Sequence, residues 1–179
     1  ELVYGRGFAY GVEFQVKKTK GKFTGWFNYT LSRALRQFDD IDGGEVFSAR
    51  QDRIHDFNLV LTYKFNDNWV ASTSFVYYTG DAVTFPTAQY EVDGFTVPYI
   101  QGRNKSRFPD YHRLDLGLTW YAEKTKKFEQ SVSFSIYNVY GRENAFAINF
   151  RENDAGQTEA VQTALFRLIP SVTWNFKIK

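Results

Sequence analysis

The chain has 179 residues, with 22 Lys and Arg against 20 Asp and Glu, a formal charge of +2. So small an excess gives no electrostatic footprint for nucleic acid, and the absence of cysteine excludes disulfides, thiolate metal sites and cysteine nucleophiles. No apolar run approaches the ~18 residues of a membrane helix, yet aromatics make up 19% of the chain, more rings than one compact core needs. Any membrane crossing must therefore be by strands.

Apolar and polar residues alternate along the chain with the two-residue period of a strand. Phe8, Tyr10, Val12, Phe14 and Val16 share a face opposite Ala9, Gly11, Glu13, Gln15 and Lys17. Phe23, Phe27, Tyr29 and Leu31 follow, opposite Thr24, Asn28, Thr30 and Ser32. A third strand sets Phe57, Leu59, Leu61, Tyr63 and Phe65 against Asp56, Asn58, Thr62 and Lys64. Trp69 to Tyr78 is a fourth, whose faces the pattern leaves unassigned. In the fifth, Leu114, Leu116, Leu118 and Trp120 oppose Arg113, Asp115, Gly117 and Thr119.

Val132, Phe134 and Ile136 are even-numbered, and so are Phe146, Ile148 and Phe150 beyond the YGREN stretch. The retained parity favours one long strand from about 128 to 150, with two strands and a turn at 140–144 as the alternative. The last strand sets Val172, Trp174, Phe176 and Ile178 against Ser171, Thr173, Asn175 and Lys177. Pro170 lacks a ladder donor and is expected at a bulge or an unpaired position.

Seven strands make the connections alternate in length. Residues 18–22, 65–68 and 123–127 are short; 33–53, 80–110 and 151–163 are long. An outer-membrane barrel has short periplasmic turns and long extracellular loops. On that pattern the last strand descends to a periplasmic C-terminus, and the first descends too. Bacterial barrel chains normally have even strand counts, so the expectation is the C-terminal seven strands of a larger antiparallel transmembrane barrel. Phe23, Phe65, Trp69, Trp120, Phe128, Trp174 and Phe176 flank the short turns, where an interfacial aromatic girdle belongs.

The stretches GFAYGVEF, GWFNYTLSR, DRIHDFNLVLTYKFNDNW, YYTGDAVTFP, FPDYHRLDLGLTWY, SFSIYNVYGREN and LFRLIPSVTWNFKIK together resemble the C-terminal barrel region of TonB-dependent outer-membrane transporters. The similarity is to the SusC-like branch of Bacteroidota. It implies an all-β barrel of about 22 strands closed by an N-terminal plug. It also implies import of a bulky or scarce nutrient, such as a glycan or oligopeptide, across a Gram-negative outer membrane. The partners implied are the missing N-terminal barrel strands and plug, TonB–ExbB–ExbD acting through that plug, the lipid bilayer and a surface lipoprotein lid. Neither plug nor TonB box lies within this sequence. A passive porin-type barrel is the alternative, and an outer-membrane barrel hydrolase a more distant one.

Candidate contacts follow from this layout. Arg113 and Asp115, two apart on a polar face, form a lumen-facing pair. Arg50, Asp52 and Arg53 sit in a long connection, where exposed loop charge is the plainer reading. Tyr90, Phe95, Tyr99 and Phe108 are placed for a stacking platform in another. The acidic run Asp39, Asp40, Asp42, Glu45 has no calcium-loop spacing and reads as a solvated loop. His55 and His112, beside Asp56 and Asp110, are the only histidines. Both fall on the apolar parity and read as interfacial rather than as bases of a hydrolase. No catalytic residue, cofactor or metal ligand is expected.

Overall fold

The computed structural model describes residues 3–93, 95–122, 128–153 and 158–178. Apart from one 3-10 turn at Asp42–Gly44, all regular structure among them is β. The strands in chain order are β1 (Gly5–Lys18), β2 (Phe23–Phe38), β3 (Phe47–Ser48), β4 (His55–Lys64), β5 (Trp69–Tyr78), β6 (Ala82–Val83) and β7 (Ala88–Val92). They continue with β8 (Phe95–Tyr99), β9 (Ser106–Arg107), β10 (Tyr111–Tyr121), β11 (Phe128–Tyr137), β12 (Ala147–Glu152), β13 (Thr158–Thr163) and β14 (Ile169–Ile178). The main sheet runs β1-β2-β4-β5-β10-β11-β14, with β3 added beside β2. Its seven long strands are the seven read from the alternation, each bonded to the next.

Three expectations change. The segment 128–150 is not one strand. β11 ends at Tyr137, where Asn138 takes φ 53° and Gly141 φ 65°, both left-handed. The Gly141 amide then donates to the Asn138 carbonyl at 2.7 Å, closing a turn that no strand survives. β12 pairs with β13 in a separate two-stranded sheet, so its matching parity is coincidence. Pro170 is not at a bulge: it faces Ile136 in an unbroken register from Phe128↔Ile178 to Tyr137↔Ile169. Among the described residues β14 pairs with β11 alone, and a proline is tolerated where its missing donor faces away from that one partner. The long connections also carry structure of their own, β6 with β9 and β7 with β8 in one, β12 with β13 in another. The short connection at 123–127 lies outside the described residues.

The chain divides into two compact units, Glu1–Glu13 with Thr30–Asp56 and Tyr78–Asp110, and Phe14–Tyr29 with Phe57–Tyr77 and Tyr111–Lys179. In the second unit the antiparallel registers sort side chains by face. Leu116 lies opposite Ile136. Leu118 aligns with Phe134 and Val172, and Trp120 with Val132 and Trp174. The other face aligns Gly117 with Ser135 and Ser171, and Thr119 with Ser133 and Thr173. Hydroxyls bond across it: Thr119 to Ser133 at 3.0 Å and Ser135 to Ser171 at 2.7 Å. Such cross-strand pairs are the unit of sheet stability.

The structure also assigns β5. Phe75 meets Phe57 edge-on at 5.6 Å, which places the odd residues on the apolar face. Ser72 stands directly beside Gly117 on the polar face, where a Cβ on the glycine would lie 2.6 Å from the serine hydroxyl. Phe14, Phe27, Phe57 and Phe75 form an edge-to-face row across four strands. Near the short connections Trp174 and Phe128 both contact Phe176.

Among the described residues the buried apolar ones are Phe47, Ala49 and Ala82, and the buried polar ones Asp52, Thr79 and Asn138. Phe134 is 49% exposed, Val172 67% and Trp174 59%.

Candidate functional site

Two polar clusters organise the connections. In the first unit Asp52 follows a turn in which its amide donates to the Ala49 carbonyl. Its side chain is fully buried, which corrects its reading as an exposed loop charge. The carboxylate accepts the Ala34 amide at 2.6 Å, the Arg33 Nε at 3.4 Å and a short bond from the Arg107 guanidinium. Arg107 also donates to the carbonyls of Asp52 and Gly80, tying the connection after β2 to the one after β5. Burial pushes the Asp52 carboxyl up. The Ala34 amide, Arg107, Ser48 and the Arg33 charge outweigh that and hold it below the usual carboxylate range.

Around this hub Arg53 donates to Asp81 at 2.9 Å and lies over the Tyr78 ring at 3.9 Å. Asn104 donates to the Ser48 carbonyl at 2.8 Å, and its amide donates to the Thr84 hydroxyl at 2.9 Å. The acidic run is tied in as well: Asp42 accepts the Arg103 amide at 2.6 Å and Glu45 pairs with Lys105 at 3.1 Å. Arg50 is exposed, and its carbonyl accepts the Ala82 amide.

In the second unit Arg113 and Asp115 do pair, at 3.0 Å, with both side chains partly exposed. By strand alternation they share the polar face with Gly117 and Thr119. Arg113 also donates to the hydroxyls of Tyr111 and Tyr137, at 3.0 and 3.1 Å, and lies 4.3 Å over the Tyr137 ring. The other Asp115 oxygen accepts the Asn138 amide at 2.9 Å. Asn138, almost wholly buried, donates to the carbonyls of Arg142 and Arg167 and accepts the Arg142 amide. Asn144 exchanges hydrogen bonds with the His112 backbone. The His112 ring bonds the Tyr140 hydroxyl at 2.7 Å, and burial pushes that hydroxyl's pKa up. His55 is engaged through its backbone, with Thr79.

Tyr90, Phe95 and Tyr99 come together on the β7–β8 hairpin. Its register pairs Ala88 with Tyr99, Tyr90 with Val97 and Val92 with Phe95, so all six share one face. Phe108 is elsewhere, against Phe85. Among the described residues no group of three or more His, Asp or Glu is placed to hold a metal ion.

Sequence reading missed Arg107, Asn104 and Asn138. The first two lie in a connection without periodicity. Asn138 carried a signal, because Asn is among the few residues that tolerate a left-handed backbone. Chemically, each cluster sets a guanidinium against a carboxylate that also accepts a backbone amide, a set suited to holding a connection in place. No family model matches the chain, and neither a curated protein nor a solved structure matches it.

Proposed function

We propose that this chain supplies wall and extracellular connections of a β-barrel in a Gram-negative outer membrane, and that the whole barrel is a TonB-dependent importer of the SusC-like kind. The observation that carries the reading is the exposed apolar face of β10, β11 and β14. One face aligns Leu118, Phe134 and Val172 in the open, and the other aligns Thr119, Ser133 and Thr173. Water gains nothing from the first face, whereas lipid removes it from water and leaves the hydroxyl face to a polar lumen.

On this reading the connections of residues 39–54 and 79–110, each knitted by buried or paired charge, form part of an extracellular vestibule. A bulky or scarce nutrient, such as a glycan or oligopeptide, is captured there and admitted when TonB–ExbB–ExbD moves a plug. The plug and remaining strands belong to sequence beyond this chain, a surface lipoprotein is a further partner, and no covalent chemistry is involved.

This chain has no cysteine, so once any cysteine elsewhere in the full-length protein is replaced, single-cysteine substitutions test the wall directly. In the full-length protein in its membrane, a charged maleimide is expected to label Thr173→Cys and spare Val172→Cys. Equal labelling sinks the wall reading. Binding of the full-length protein to the purified periplasmic domain of TonB separates an energised importer from a passive porin, which would not bind.

A further inference from the structure

Lysine and arginine are segregated along this chain. Every lysine but Lys105 lies in a short connection, within one residue of one, or in the last three residues, and no arginine lies in those segments. The acids within them are Asp67 and Glu123. In the second unit the described ends of these segments meet along one end of the sheet. The Lys22 carbonyl accepts the Lys64 amide at 2.8 Å and the Asn68 carbonyl accepts the Tyr121 amide at 2.7 Å, while Phe128 faces Ile178 and Glu129 faces Lys177. Lys17, Lys18, Lys20, Lys22 and Lys177 are exposed. Among the described residues none of these five is in an ion pair, whereas Lys64 pairs with Asp67 at 2.7 Å.

Rings stand next to the lysines. Lys18 Nζ lies 5.9 Å from the Phe23 ring centre, and Trp174 and Phe128 both contact Phe176. Along β14 the order from the end inward is Lys177, Phe176, Trp174, Val172. At about 3.3 Å per residue Lys177 stands roughly 16 Å from Val172, and half of a bilayer's hydrocarbon is about 15 Å deep. We infer that this end of the sheet binds the phosphate groups of anionic phospholipids, an inference that rests on reading the sheet as barrel wall. Ammonium, ring and apolar face follow one another in the order of headgroup, interface and hydrocarbon. Lysine suits a surface of mobile phosphates, because its ammonium is a point charge on a flexible stem and needs no fixed partner. Arginine serves elsewhere in fixed bonds, Arg107 to Asp52 and Arg113 to Asp115. An acidic polypeptide offers the same charge but no hydrocarbon for the rings beside the lysines, so lipid fits both.

The full-length protein in neutral detergent is titrated with fluorescent phosphatidylglycerol, fluorescent phosphatidylcholine and a fluorescent polyglutamate peptide. Phosphatidylglycerol is expected to bind at least about tenfold tighter than phosphatidylcholine, with the difference shrinking as salt rises. A lysine at an anionic surface contributes roughly fivefold. Lys18→Gln with Lys20→Gln and Lys22→Gln should therefore cut the preference at least about fivefold, and arginine at the same three positions should keep it. No preference, a preference unchanged by the glutamine variant, an equal loss in the arginine variant, or tighter binding of the peptide than of the lipid would each overturn the assignment. Maleimide labelling of Thr173→Cys and Val172→Cys in the membrane separates the two readings. Equal labelling removes the wall and this site with it; the expected labelling without a lipid preference removes the site alone.

Discussion

Asp52 has its carboxylate out of water with a short bond from Arg107 and the Ala34 amide on it, so it behaves unlike the surface acids around it. Asp52→Ala leaves the Ala34 amide and one arm of the Arg107 guanidinium without their acceptor, while the other arm keeps the carbonyls of residues 52 and 80. Breaking a fully buried pair from one side costs about 3–5 kcal/mol; with Arg107 a quarter exposed and still bonded to two carbonyls the cost falls below that range, and the expected result is faster protease cleavage of residues 79–110 in the folded protein. Arg33 is the weaker partner, at 3.4 Å and 38% exposed, and Arg33→Ala is expected to cost less than about 1 kcal/mol and to leave that connection resistant. The same carboxylate sets a pH dependence. Its folded pKa is lowered relative to about 3.9 in an unfolded chain, so its contribution is fully present above the unfolded value and is lost as pH falls through the folded one. Protease resistance of the connection should hold at neutral pH and decline only in acid below about pH 4. A loss near pH 6 would assign the hub to another group.

The turn after β11 shows how a single side chain ends an element. Asn138 supplies a left-handed φ of 53° and side-chain bonds to Arg142 and Arg167. Asn138→Gly keeps the backbone freedom and loses the bonds, each worth about 1 kcal/mol net. Asn138→Ala loses both and adds roughly 1 kcal/mol of left-handed strain. Unfolding in denaturant should therefore rank the native protein above Asn138→Gly and Asn138→Ala last; equal losses would show that the backbone angle is incidental. This turn also marks the limit of what the sequence reveals about elements. Most of the long strands were legible because they repeat one apolar and one polar residue over five or more positions, as in Phe8 to Val16 or Val172 to Ile178. Parity, however, reports a face and not continuity, so Phe146, Ile148 and Phe150 imitated an extension of β11. The faces of β5 were illegible because Val70 and Val76 compete with Phe75 and Tyr77, and only the ring contact with Phe57 decides. The pairing of Arg113 with Asp115 was legible as a two-residue spacing on one strand. The pairing of Asp52 with Arg107 was not, since 55 residues separate them and no period links two irregular connections.

At the scale of the whole molecule the question is which medium the exposed apolar face meets, and one pair of neighbouring substitutions decides it. Phe134 and Ser133 are adjacent on β11 and point to opposite faces. Phe134 aligns with Leu118 and Val172, Ser133 with Thr119 and Thr173. If water bathes both faces, Phe134→Arg removes a half-exposed ring from solvent, and such a surface change stays within about 0.5 kcal/mol. If lipid covers the apolar face, an arginine there costs about 2–4 kcal/mol near the middle of the bilayer, while Ser133→Arg reaches a polar lumen and is tolerated. The electrostatics cannot mimic this contrast, because both substitutions add the same charge to the same strand one residue apart. Folding of the full-length protein into phospholipid vesicles, followed by protease protection, is expected to fail or weaken for Phe134→Arg and to proceed for Ser133→Arg. Equal behaviour of the two would place the sheet in water on both sides, and the wall reading would fall with it. A loss confined to Phe134→Arg gives the exposed apolar face its cause: its solvent is hydrocarbon, and the hydroxyl ladder on the other side of the sheet faces a polar medium.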